Sequence, residues 1–139
     1  MSKSIYLINP KPDYAGYWSG DFGYLSIKGK SLFIADLAIN TVAALVPSDF
    51  RVELCEEQIN NIDYNHPAEF IGISGRHTQY RRMISIAKRF RDLGKTVIIG
   101  GACASLNPED IRPYCDILFE GELEATADEF FSDLRNDTW

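Results

Sequence analysis

Five short apolar runs are spread along the chain, and all but one of the intervals between them carry apolar residues at helical spacing. The runs are residues 4–9 (SIYLIN), 51–57 (RVELCEE), 70–74 (FIGIS), 96–99 (TVII) and 117–119. Runs this short, stopped by Asn9-Pro10, Ser74-Gly75 or Gly100-Gly101, suit strands covered on both faces of a parallel sheet. In the second run Val52 and Leu54 alternate with polar residues, so they are expected to point inward from a strand near a sheet edge.

The intervals supply the covering layers. Residues 31–46 are apolar nearly all round and end at Pro47, which reads as a buried helix. Tyr80, Met83, Ile84, Ala87 and Phe90 form one stripe of a second helix, with Gly94 as its C-terminal cap. Asn107-Pro108-Glu109-Asp110 has a capping residue, a first-turn proline and early acids in the order that opens a short helix. Leu123, Ala127, Phe130, Phe131 and Leu134 share one side of a last helix. Strands alternating with helices imply right-handed crossovers. The expected fold is α/β and Rossmann-like: one domain over residues 1–139 with a five-stranded parallel sheet in the flavodoxin-like order 2-1-3-4-5 and helices on both faces. Ligands of such sheets bind beyond the carboxyl ends of the strands, where the first and third diverge.

Composition removes several classes of function. A net charge of -6 sets the chain against nucleic acid and anionic membranes. The one basic cluster, Arg81, Arg82, Lys88, Arg89 and Arg91, reads as a solvated helix face. Cys55, Cys103 and Cys115 are widely spaced and odd in number, which argues against disulfides and metal knuckles and for a reducing, cytoplasmic compartment. No run reaches the ~18 apolar residues of a membrane span, and the first strand starts too early to leave room for a signal peptide.

Attention then falls on the residues after each strand. After the first, Gly16, Gly20, Gly23 and Gly29 alternate with Tyr14, Tyr17, Trp18, Phe22 and Tyr24 in a loop long enough to cover a ligand. It lacks the tight G-x-G-x-x-G turn of dinucleotide sites, and Gly29-Lys30-Ser31 lacks the upstream glycine of a Walker A loop. The receiver-domain acids are absent as well, their places being held by Asn9-Pro10 and Ser74-Gly75. Cys103 reads as a packing residue, and His66 and His77 as surface or capping histidines. The Ser74 hydroxyl is placed either to hold a polar ligand group or to cap the following helix. Gly100-Gly101 and Gly121 permit close approach to bare backbone, or simply turn the chain.

Taken in order, LINP, a long Gly-rich loop, IGIS, VIIGGACASLNPED and the D-x-x-x-x-GE segment at 116–122 resemble the cobalamin-binding domain of cobalamin-dependent radical S-adenosylmethionine enzymes. The resemblance spans essentially the whole chain. It implies that the dimethylbenzimidazole tail of base-off cobalamin enters the sheet edge, contacted by Ser74 and lined by Gly100, Gly101 and Gly121, with the glycine-rich loop over the corrin. Related cobalamin domains carry D-x-H-x-x-G, whose histidine ligates cobalt. Aligned on Gly29, this chain has Tyr24 in place of the Asp and Ser26 in place of the His, so no histidine ligand is expected. Arg76 stands where a Ser-x-Leu element has leucine, in the tail channel or within reach of a phosphate or propionamide.

The three cysteines cannot supply the C-x-x-x-C-x-x-C of a radical enzyme's [4Fe-4S] cluster. The chain alone is therefore expected to hold cobalamin without catalysing, and S-adenosylmethionine and the iron-sulfur cluster belong to a radical domain expected after residue 139. The expected role is methyl transfer or a related radical reaction carried out with that domain. Two alternatives stay open: a cofactor-free structural or substrate-gating domain of such an enzyme, and a freestanding binder of another nucleotide-like ligand.

Overall fold

The computed structural model describes residues 2–14 and 36–139. Within them the chain forms β1 (Ser4–Asn9), α1 (Ala38–Leu45), β2 (Arg51–Glu56), β3 (Phe70–Ser74), α2 (Tyr80–Asp92), β4 (Thr96–Gly100), α3 (Ala102–Leu106), α4 (Pro108–Ile111), β5 (Ile117–Leu118) and α5 (Ala127–Asn136). All four strand pairings are parallel and the sheet order is β2-β1-β3-β4-β5. This is the doubly wound arrangement expected from the spacing of the apolar runs.

Side chains alternate between the two faces of the sheet, which splits the core in two. Tyr6, Ile8, Ile71, Ile73, Val97 and Ile99 meet Met83, Ile86, Ala87 and Phe90 of α2, together with Cys103 and Ile111. Ile5, Leu7, Phe70 and Ile98 meet Ile39 of α1 and Phe131 and Leu134 of α5. Full burial of each large side chain contributes roughly 1.5–3 kcal/mol, so the two layers hold the sheet between them. Gly94, at φ +76°, ends α2 as expected: its amide donates to the Arg91 carbonyl at 2.9 Å and the Lys95 amide to that of Phe90 at 3.0 Å.

Several expectations are corrected. In α1 only Ile39 is buried, so the described part of that helix has a wet side; residues 31–35 lie outside the described set. Leu54 is 42% exposed because β2 is the sheet edge, and Cys55, on the opposite face, is buried instead. Asn107 makes no side-chain cap, although Pro108 and the early acids do open α4. Helix α3, just before it, was not expected. His66 is buried rather than superficial: its ring stacks on Tyr6 at 4.1 Å and its Nδ1 accepts the Ala68 amide at 3.1 Å.

Arg81, Lys88, Arg89 and Arg91 of the basic cluster are exposed, as expected of a solvated helix face, and Arg82 is half-buried. Arg82 is ion-paired to the buried carboxylate of Glu57, and Arg91 reaches Asp116 at 3.2 Å. Arg89 lies over the Tyr64 ring at 3.6 Å and Lys88 over Tyr114 at 5.0 Å. No helix among the described residues is long and apolar enough to cross a membrane.

Candidate functional site

The strand register builds the site from the sheet upward. Leu54, Leu7, Gly72, Ile98 and Ile117 are neighbours in one row across the five strands. Gly72, in the middle of that row on the face that α1 and α5 cover, has no side chain, and the Leu7 side chain leans over it. A β-carbon there would lie 2.6 Å from Leu7 Cδ2. Two residues further along each strand, toward the carboxyl edge, the row becomes polar or bare: Glu56 pairs with Asn9, and Ser74 with Gly100.

Above Gly72 opens a cleft of about 190 Å³. Its floor is Leu7, Gly72 and Ile98; one wall is Ala38, Ile39, Thr41 and Val42 of α1, and the other runs from Phe119 through residues 121–124 to Phe130. A cavity of roughly 150 Å³ holds a benzene ring, so this space suits a somewhat larger flat group. Among the described residues the lining is mostly apolar, with Thr41, Ser74, Glu122 and Glu124 as its polar side chains and no Lys or Arg. Such a lining favours an uncharged ring system with a polar edge.

Four of the expected site residues, Ser74, Gly100, Gly101 and Gly121, come together in this cleft. Gly101 sits at φ +89° and ψ -175°, and a β-carbon on it would lie 2.7 Å from Ser74 Oγ. Gly121 is also at positive φ, +87°. Arg76 does not line the cleft. Its side chain is 56% exposed and its Nη2 meets Asp36 Oδ2 at 2.9 Å, while Asp36 Oδ1 accepts the Ala38 amide at 3.0 Å. Arg76 thus braces the entry to α1. Ser26 and Gly29, with the rest of the 15–35 stretch, lie outside the described residues.

Other residues, not anticipated, lie in the cleft or at the same edge of the sheet. Gly72 is the most informative, since a glycine inside a central strand signals close approach of something to the backbone. A second is Asp13, whose carboxylate caps α2 by accepting the Arg81 and Arg82 amides at 2.9 and 2.7 Å. This fixes the chain as it leaves β1. A third is a buried polar network at the same edge: Asn9 donates to Glu56 Oε2 at 2.7 Å and accepts from Gln79 Nε2 at 2.8 Å.

Glu56 Oε1 is buried without a hydrogen-bond partner among the described residues, and burial is the main influence raising its carboxyl above the ordinary carboxylate range. A raised carboxyl pKa favours the folded state only while the group is protonated. That contribution is full below the unfolded value and disappears as pH rises through the folded one. Glu56→Gln, which keeps an acceptor for Asn9, is accordingly expected to raise Tm at neutral pH and to converge on the wild type near pH 4; thermal melts across that range measure it. Cys55, Cys103 and Cys115 are buried and their thiols are pushed up chiefly by burial, which suits packing rather than nucleophilic roles.

The chain is similar in sequence to two known proteins. It is 31% identical over 101 residues to the bacteriochlorophyllide d C-8(2)-methyltransferase of Chlorobaculum tepidum, covering 72% of this chain and 22% of that protein. It is 27% identical over 125 residues to an uncharacterized methyltransferase of Synechocystis sp., covering 86% of this chain and 23% of that protein. Both relatives are methyltransferases. The chain spans less than a quarter of the length of either. No family model matches it, and no solved structure does.

Proposed function

We propose that this domain is a cobalamin-binding module of a methyltransferase, with catalysis residing in a radical S-adenosylmethionine domain elsewhere in the same polypeptide. The observation that carries the reading is the cleft at the carboxyl edge. Among the described residues it is mostly apolar, floored by Leu7, Gly72 and Ile98, and bordered by the Ser74 hydroxyl and three glycines. A flat, neutral dimethylbenzimidazole fits that chemistry. The match to less than a quarter of two methyltransferases supports placing the domain within a longer enzyme.

On this reading Ser74 Oγ offers a hydrogen bond to the polar edge of the tail, and Gly100, Gly101 and Gly121 admit it against bare backbone. Leu7, Ile98, Phe119 and Phe130 exclude water from its faces. The chemistry such a cofactor supplies when bound is one-carbon group transfer. The chain's own part is to bind, orient and keep the tail dry.

The test is direct. Mixed with hydroxocobalamin, the 139-residue chain is expected to co-elute with the corrinoid on gel filtration and to shift its visible absorbance. Absence of retention at micromolar corrinoid would overturn the binding role and leave a structural or substrate-gating domain as the reading.

A further inference from the structure

We propose that Ser105 is a positioning residue of the cleft, its hydroxyl tying the turn after β4 to the turn after β5 and so setting the width of the cleft mouth. The relevance of that width to a ligand rests on the corrinoid reading above; the clamp itself rests on geometry alone. Ser105 is exposed on α3 and outside the cleft lining, so it touches no ligand placed there. Its Oγ donates to the Gly101 carbonyl at 3.1 Å and accepts the Gly121 amide at 2.9 Å. One hydroxyl thereby joins two turns whose glycines both line the cleft.

The two turns are held very differently. Gly101 is packed tightly: its α-carbon side abuts Ser74 and Gly75, and the Cys103 amide donates back to the Gly75 carbonyl at 3.1 Å. Among the described residues the Gly121 turn has few contacts of its own, and no atom of them lies within 4 Å of where a β-carbon on Gly121 would sit. Its nearest anchors along the chain are the Phe119 amide, bonded to the Ile99 carbonyl at 2.8 Å, and the buried Leu123. Between them the described contacts are the Ser105 bond and an exposed Arg112–Glu120 pair at 3.4 Å. An exposed ion pair of that length holds little, so the serine hydroxyl decides where Gly121 stands. Through Gly101 the same hydroxyl refers that position to Ser74, and the turns after β3, β4 and β5 become one frame.

A hydroxyl is needed because the same atom must donate to a carbonyl and accept from an amide. Threonine retains both functions and alanine neither. Amide exchange at Gly121 is expected to accelerate about tenfold in Ser105→Ala and to change less than about twofold in Ser105→Thr. Side-chain methyl shifts of Val42, Ile98 and Leu123 should move in the alanine variant only, with Tm unchanged within a few degrees. In a hydroxocobalamin titration Ser105→Ala should weaken binding about three- to tenfold while Ser105→Thr binds as the wild type does.

Should the wild type fail to hold hydroxocobalamin, the corrinoid reading falls, and the exchange and methyl measurements still decide the clamp. Unchanged exchange at Gly121 in Ser105→Ala overturns it. So does accelerated exchange with unmoved cleft methyls, or wild-type corrinoid affinity in that variant.

Discussion

Gly101→Ala is expected to destabilise the domain by about 3 kcal/mol and lower Tm by roughly 10 °C, whereas Gly100→Ala next to it changes stability by less than about 1 kcal/mol. The difference is geometric. Gly101 combines φ +89° with an extended ψ of -175°, a region essentially reserved for glycine. Its missing β-carbon would lie 2.7 Å from Ser74 Oγ, 3.1 Å from the Gly75 nitrogen and 3.2 Å from the Gly75 oxygen. Ser74 Oγ can rotate away, but the Gly75 backbone cannot, because its carbonyl already accepts the Cys103 amide. Gly100 has no positive φ, and a β-carbon there would meet Phe119 at ordinary contact distances of 3.6 and 3.7 Å. Thermal or urea denaturation of the two variants separates the cases. Equal Tm values would show that the close approach of the β3 and β4 turns is not what holds this edge.

That pair of neighbours also shows where reading the sequence stops. A Gly-Gly after an apolar run signals a turn or a close approach, and both residues do lie on the cleft. Which of them is indispensable depends on a dihedral angle and on the Ser74-Gly75 backbone, which is 26 residues away in sequence and adjacent only across the sheet. The strands themselves were legible, because each apolar run is bounded by residues that stop it and a parallel sheet needs no partner-specific pattern. The edge strand was harder. Val52 and Leu54 alternate as an inward face should, yet Leu54 is exposed because β2 is the edge of the sheet. Arg76 meets a related limit: its position after β3 is the right place for a ligand contact, and only the fold brings Asp36 to pair with it. Ser105 had no signal at all, since a serine in a short helix is unremarkable until Gly101 and Gly121 stand on either side of it.

Gly72→Val is expected to abolish corrinoid retention while leaving the fold nearly as stable as before. The valine β-carbon would stand 2.6 Å from Leu7 Cδ2, which is the far end of a flexible side chain bordering the cleft and can swing into it. The strain of that swing, about 1–3 kcal/mol, is offset by the better strand propensity of valine and the apolar area it buries. Net stability should therefore shift by less than about 1–2 kcal/mol. Binding has no such offset. The displaced Leu7 and the two new methyl groups occupy the floor on which a flat ring would rest, in a space of about 190 Å³. A ring system burying on the order of 150 Å² forfeits roughly 3–4 kcal/mol, more than a hundredfold in affinity. Parallel hydroxocobalamin titrations and thermal melts of Gly72→Val and the wild type make the comparison. A folded variant that still bound the corrinoid tightly would place the tail somewhere other than above Gly72, and a variant that failed to fold would mean that Leu7 has nowhere to go.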